Sequence, residues 1–70
     1  MDNGIAMKLN TRKINRELER LGWTRAFLAE KAGTTRQSVY NWLTLESTPR
    51  MLNVERLAKA LGLDPKDLLT

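Results

Sequence analysis

Four side chains that can form directed hydrogen bonds lie close together in this 70-residue chain: Arg36, Gln37, Tyr40 and Asn41. A guanidinium group can bond bidentately to guanine O6 and N7, and a Gln or Asn amide to adenine N6 and N7. Because Gln37 and Asn41 are four residues apart, they would share one face of a helix. In the plainer interpretation, these residues only form the solvated face of an exposed helix. Tyr40 has the same two interpretations, as a contact to sugar or a thymine methyl group, or as packing at the helix edge.

Two short helices joined by a tight turn would hold these side chains. The first has Thr24 as its N-cap and Trp23 with Leu28 as a hydrophobic staple, and Gly33 ends it. Ala29 provides the small residue that two closely crossing helices need. The inner face of this first helix is predicted to comprise Leu28, Ala29 and Ala32.

The second helix would have Thr35 as its N-cap and, with the cap included, span about residues 35–44. Val39 and Trp42 are spaced to form its inner face, which leaves the polar residues on the opposite side. Trp42 is therefore predicted to belong to the core. Trp23 is likewise assigned to packing.

The flanking segments also read as helices. Helix one would start at the Asn10 cap with a Leu9–Ile14 staple, bury Ile14, Leu18 and Leu21, and end at Gly22. Helix four would bury Val54, Leu57, Ala58 and Leu61 and end at Gly62. Its start is open between Met51 and an Asn53 cap with a Leu52–Leu57 staple. Asp64-Pro65 would begin a last short helical turn, stapled by Leu63 and Leu68.

Composition excludes several function classes. The chain has no cysteine and no histidine, which removes zinc fingers, disulfide scaffolds and His-based acid–base catalysis. We expect no cofactor, no metal and no enzyme activity, because the acidic residues are scattered. The absence of a long apolar run leads us to expect a cytoplasmic protein. The net charge of +4 is concentrated in the first half of the chain, which favours polyanionic partners.

The segment L-A-E-K-A-G-T-T-R-Q-S-V followed by Trp42, with the later L-A-K-A-L-G-L, resembles the lambdoid-phage repressor and Cro type of helix-turn-helix domain. The resemblance covers nearly all of residues 10–69. It implies an all-α, lambda-repressor-like bundle of five short helices over residues 9–70. It also implies a bacterial or phage-encoded transcriptional regulator that binds operator DNA as a homodimer. Residues 1–8 are expected to form a loose tail, because Met1–Met7 shows no periodicity.

The resemblance implies roles for individual residues. Arg36, Gln37 and Asn41 would read bases, with Tyr40 as a further candidate. Arg25 takes the place of a residue that contacts phosphate in this family, and Thr35, Ser38 and Thr44 would also contact phosphate. On helix one, Arg16 and Arg20 are further candidates.

Two departures from the family pattern support a second interpretation. Leu43 and Leu45 stand where the family usually has a glutamate and a glycine after the tryptophan. Such apolar residues would suit a partner surface, as would Met51 and Leu52 if they are not core. The chain would then be an antitoxin or a small phage accessory protein that acts mainly through protein–protein interaction.

Overall fold

The computed structural model describes residues 8–45 and 47–70, and the predicted tail therefore lies, except for Lys8, outside the described residues. The described chain is all-helical. It contains four α-helices and one 3₁₀ turn: α1 (Thr11–Leu21), α2 (Arg25–Ala32), α3 (Arg36–Thr44), α4 (Met51–Leu61) and the turn Pro65–Leu68. In this part of the chain the only β-type pairing is the isolated bridge between Leu9 and Leu69.

The three predicted N-caps of the first helices are confirmed. The side chains of Asn10, Thr24 and Thr35 accept hydrogen bonds from the backbone N–H groups three residues on. Each removes one unsatisfied donor from a helix start. The caps therefore fix where α1, α2 and α3 begin.

The expectation of five helices was wrong for the last element. After Pro65 the chain makes only one turn, in which Asp67 N–H donates to Asp64 C=O at 2.9 Å. This i→i+3 bond defines a 3₁₀ turn. Leu69 then adopts an extended conformation and pairs with Leu9, which ends the helical turn at Leu68.

Helix α4 begins at Met51, and the alternative start at Asn53 was wrong. Asn53 and Val54 already donate their backbone N–H groups to Arg50 C=O at 2.9 and 3.0 Å, so Asn53 lies within the first turn. Leu52 is 56% exposed and makes no staple with the buried Leu57. Arg50 occupies the cap position without a side-chain hydrogen bond.

One apolar core joins all the elements. Helix α2 packs against α3 and α4, and the 3₁₀ turn packs against α4 and α1. Six side chains in this core are almost completely buried: Ile14, Leu28, Val39, Val54, Leu57 and Leu68. Leu21, Trp23 and Leu63 are half-buried against it. The core therefore holds α2 and α3 as a rigid pair.

Candidate nucleic-acid interface

The turn between α2 and α3 is closed by its own backbone. Gly33 has φ +74°, a conformation that costs other residues because of their Cβ. Its N–H donates to Glu30 C=O at 3.3 Å, and Thr34 N–H donates to Ala29 C=O at 2.9 Å. These two bonds form a Schellman motif, which satisfies carbonyl groups at the end of α2. The turn thus sets the direction in which α3 leaves.

Helix α3 has one buried side and one exposed side. Val39, Trp42 and Leu43 face the core, with exposed fractions of 1%, 9% and 9%. Arg36, Gln37, Tyr40 and Thr44 are exposed and Asn41 is half-buried. The predicted base readers therefore lie on the outer side of α3.

Leu43 differs from the sequence interpretation. It was predicted as part of a partner surface, but it lies in the core beside Trp42. Positions 39, 42 and 43 follow the helical spacing of one inner face. Leu45, one residue beyond α3, is 67% exposed and remains accessible to a partner.

Two amide side chains of α3 are hydrogen-bonded to each other. Gln37 Nε2 donates to Asn41 Oδ1 at 2.9 Å. The Gln37–Asn41 hydrogen bond does not use Gln37 Oε1, the second Gln37 N–H or the Asn41 amide N–H groups. The pair thus presents both donors and an acceptor on the outer side of the helix.

The hydroxyl groups around α3 are also engaged. Thr35 Oγ1 donates to Ser38 Oγ at 2.9 Å and accepts from Ser38 N–H at 3.1 Å. Because Ser38 Oγ accepts this bond, its own proton can be donated elsewhere. Thr44 Oγ1 instead donates to Tyr40 C=O at 2.6 Å. Since a phosphate oxygen only accepts, a phosphate contact through the hydroxyl of Thr35 or Thr44 would require that hydroxyl to leave its present acceptor.

Helices α2 and α3 both begin with arginine. Arg25 and Arg36 are the first residues of their helices, and neither first turn contains an acidic residue. Both side chains are exposed. Since the N-terminal end of a helix carries partial positive charge, each start presents a cation together with a dipole that favours an anion.

Helix α1 contributes a different arrangement. Arg20 donates to Glu17 Oε1 at 2.7 Å. This hydrogen bond lowers the pKa of Glu17 and raises that of Arg20. Arg16 is exposed. Among the described residues, Arg20 is engaged in an ion pair, which makes Arg16 the better candidate for a phosphate contact on α1.

A comparison with protein families decides the class of this fold. The sequence model described as Helix-turn-helix matches residues 14–68, which include α2, the turn and α3. The chain belongs to the helix-turn-helix family. The helix-turn-helix resemblance stated from the sequence is thereby confirmed.

A solved structure shows the same fold. The helix-turn-helix chain is similar to the solution NMR structure of the DNA-binding domain of the P22 C2 repressor, residues 1–76. The TM-score is 0.74 and the identity 24%, over 89% of this chain and 82% of that chain. No curated protein matches this chain.

Two shallow grooves border the helix-turn-helix unit. One is lined by Thr35, Arg36, Gln37 and Tyr40. The other lies between α2 and α3, and its lining includes Thr24, Phe27, Thr34 and Arg36. Arg36 lines both grooves, so this residue borders the outer side of α3 and the crossing of the two helices.

An aromatic contact on α2 was missed in the sequence. Trp23 and Phe27 meet edge to face with ring centroids 4.9 Å apart, and Lys31 Nζ lies 5.3 Å from the Phe27 ring centroid. These three residues are spaced four apart, a signal that the sequence already contained. Leu28, the predicted staple partner of Trp23, is fully buried, and Trp23 packs against the core that contains it.

Two negative findings apply to residues 8–45 and 47–70. No group of three or more acidic, histidine or cysteine side chains is placed to hold a metal ion. No helix in this part of the chain has the length and apolar character to cross a bilayer.

Proposed function

We propose that this helix-turn-helix chain is a sequence-specific transcriptional regulator that binds double-stranded operator DNA. Helix α3 would enter the major groove with Arg36, Gln37, Asn41 and Tyr40 toward the bases. The observation that carries the proposal is the two-sided character of α3. Its apolar side lies in the core, and its outer side presents amide and guanidinium groups suited to base edges.

Phosphate contacts would orient the domain on the duplex. Arg25 at the start of α2 offers a cation, and Ser38 offers a hydroxyl proton that its bond from Thr35 leaves available. Contacts of this kind position a protein without reading sequence. The proposed phosphate contacts are Arg25, Thr35, Ser38 and Thr44.

The proposal includes a homodimer on DNA. A single recognition helix of nine residues reaches few base pairs, so useful specificity calls for two copies on a two-fold symmetric site. We place this action in the cytoplasm of a bacterium, on a bacterial or phage operator. No cofactor takes part.

Binding-site selection from random duplex DNA tests the proposal directly. We expect enriched sequences with two inverted half-sites about one helical turn apart, and an affinity that falls steeply with salt. An Arg36→Ala, Gln37→Ala double variant is the control and should enrich no site. Enrichment of no sequence by the unaltered chain would contradict sequence-specific binding, and enrichment of a single asymmetric site would contradict the dimer.

A second candidate function is supported by the exposed apolar side chains flanking the loop after α3. Leu45, Met51 and Leu52 are 67%, 52% and 56% exposed. In this alternative the chain is an antitoxin or phage accessory protein that acts mainly through a protein partner. Copurification of a partner that is lost with Leu45→Ser, together with DNA binding that shows no preferred site, would favour it over the regulator.

A further inference from the structure

We propose that Gln37 and Asn41 read two neighbouring base pairs as one coupled unit, in which Asn41 fixes the orientation of the Gln37 amide. This inference rests on the proposed function, since it concerns how the same helix chooses its DNA sequence. It begins from the 2.9 Å hydrogen bond between Gln37 Nε2 and Asn41 Oδ1 on the outer side of α3.

An unrestrained glutamine amide is ambiguous as a reader. Its last torsion is roughly two-fold, so rotation exchanges the positions of the oxygen and the NH₂ group. The two orientations therefore present the donor and the acceptor to a base pair in opposite orders. In the structure Asn41 Oδ1 accepts from Gln37 Nε2. With the Asn41 amide in this orientation, the bond stabilises the order that leaves Gln37 Oε1 and the second Nε2 N–H for a base.

The Gln37 amide that is bonded to Asn41 still has the acceptor and the donor that adenine recognition requires. An amide has two N–H bonds, one on the side of its oxygen and one directed away. A bidentate contact to adenine uses the oxygen with the N–H on the same side, for N6 and N7 respectively. The other N–H can remain on Asn41, so pairing and adenine recognition are compatible.

The bonded Asn41 amide is biased toward acceptors. Its oxygen already accepts from Gln37, while its N–H groups remain available on the half-buried side chain. In the major groove the acceptors are guanine O6 and N7, adenine N7 and thymine O4. Because adenine also presents its N6 donor beside N7, the unit would prefer adenine opposite Gln37 and guanine or thymine opposite Asn41.

The spacing suits neighbouring base pairs. Successive base pairs along one strand are about 3.4 Å apart. Gln37 Nε2 and Asn41 Oδ1 are 2.9 Å apart, so the two amide groups are adjacent on the helix surface. Each can thus face its own base pair while the bond between them is kept.

Two substitutions of one residue separate coupled from independent reading. Asn41→Ala removes the acceptor that holds Gln37, whereas Asn41→Asp keeps an acceptor oxygen and loses the amide donors. Binding-site selection and competition binding with each variant measure base preference as a ratio within that variant. The general repulsion of phosphate by the new carboxylate therefore cancels.

We expect Asn41→Ala to lower preference at two base pairs, its own and the one read by Gln37. Asn41→Asp should keep the adenine preference of Gln37 and shift its own preference toward cytosine, whose N4 donates. In a double-mutant cycle with Gln37→Ala, the Kd values should be non-additive by about 5-fold or more. Thermal melting of each variant checks that the fold is kept.

A measurement on the free protein supports the same test. In ¹⁵N-resolved NMR spectra, the Gln37 side-chain NH₂ signals should move with Asn41→Ala and remain close to their original positions when Ser47→Ala is substituted as a control. Unmoved signals would contradict the bond itself.

Independent reading has a clear signature. If Asn41→Ala leaves the adenine preference of Gln37 unchanged, or if Asn41→Asp reduces it as much as Asn41→Ala does, the coupled unit is overturned while duplex binding stands. If the unaltered chain selects no duplex sequence, the proposed function fails, and the inference fails with it.

Discussion

At the scale of single residues, Arg25 holds an unfavourable position in the free protein. It is the first residue of α2, where its charge faces the positive end of the helix dipole without an acidic residue in the first turn. Such an arrangement opposes the dipole by about 0.3–1 kcal/mol. A phosphate bound at the same place would turn this repulsion into attraction for both groups.

Arg25→Ala should therefore change stability and DNA binding in opposite directions. The free energy of unfolding should rise by a few tenths of a kcal/mol, because alanine removes the repelled charge and favours helix. Binding should weaken by a similar factor for all DNA sequences, and the salt slope should fall by about 1. Chemical denaturation and a salt titration of Kd measure the two effects.

Lys66→Ala is the matched control, because it removes the same charge from an exposed residue of the 3₁₀ turn, where no DNA contact is proposed. It should leave the salt slope nearly unchanged. An equal loss of affinity in both variants would instead indicate attraction by net charge alone, without a phosphate contact at Arg25.

Leu43 and Leu45 form a second residue-scale comparison. They are two residues apart, yet one lies in the core and the other is 67% exposed. Leu43→Ala should lower the free energy of unfolding by about 2–5 kcal/mol through lost burial and a cavity. Leu45→Ala should change it by no more than about 0.5 kcal/mol. Similar losses in urea unfolding of the two variants would contradict this assignment of the inner face.

At the scale of elements, the helices α1, α2 and α4 end in the same way. Gly22, Gly33 and Gly62 all have φ between +70° and +74°. A Cβ built at Gly33 or Gly62 would meet no atom within 4 Å, so only the backbone conformation opposes a side chain there. This similarity allows the helix-turn-helix turn to be compared with a turn outside it.

Gly33→Ala and Gly62→Ala should each destabilise the fold by about 1–2 kcal/mol, the cost of a left-handed conformation for an L-residue. The two losses should be nearly equal, because neither site adds a steric clash. Thermal unfolding with matched denaturant curves measures both. A much larger loss at Gly33 would show that the α2–α3 turn carries a constraint beyond its φ angle.

The sequence could predict elements where local chemistry decides them. Cap residues at Asn10, Thr24 and Thr35 and stop signals at the three glycines depend on neighbours within a few residues, and these were predicted correctly. The start of α4 could not be read in this way, because Arg50 caps it without a side-chain bond. The short turn after Asp64 was predicted correctly. The resemblance counted it as a fifth helix, and the extended conformation that follows it depends on Leu9, which is distant in sequence.

At the candidate site, too, the sequence predicted the features that depend on local spacing and not those that depend on side-chain conformation. Helical spacing predicted that Gln37 and Asn41 share a face, and the structure agrees. Spacing could not predict that their amides bond to each other, or that the Thr44 hydroxyl is engaged by Tyr40 C=O. Those details depend on side-chain rotamers, which neighbours in space select. The comparison with the family pattern suggested Leu43 as part of a partner surface, whereas its spacing of four from Val39 puts it on the inner face.

At the scale of the whole molecule, the chain lacks the side chains that titrate near neutral pH. It contains no histidine and no cysteine. Glu17 has a lowered pKa because Arg20 donates to it. Its contribution to stability is therefore present above the unfolded pKa and is lost only as pH falls through the folded pKa, in the acid range.

DNA affinity should consequently be nearly constant from about pH 6 to pH 8 at fixed ionic strength. Fluorescence anisotropy with a selected operator at several pH values measures this. A change in Kd of tenfold or more between pH 6 and pH 8 would contradict the assignment of binding to arginine and amide groups.

The acid limb of the stability curve should shift slightly with Glu17→Gln, with Glu19→Gln as the exposed control.

The pairing of the two ends of the described chain bears on the order in which the protein assembles. Thr70 N–H donates to Lys8 C=O at 2.9 Å, and these residues are 62 positions apart. Closing so long a loop costs more chain entropy than joining α2 to α3 across a short turn. The helices should therefore pack together first, and the hydrogen bond between Thr70 and Lys8 should form last. In native-state hydrogen exchange, the amides of Asn10 and Thr70 should open before those of α2.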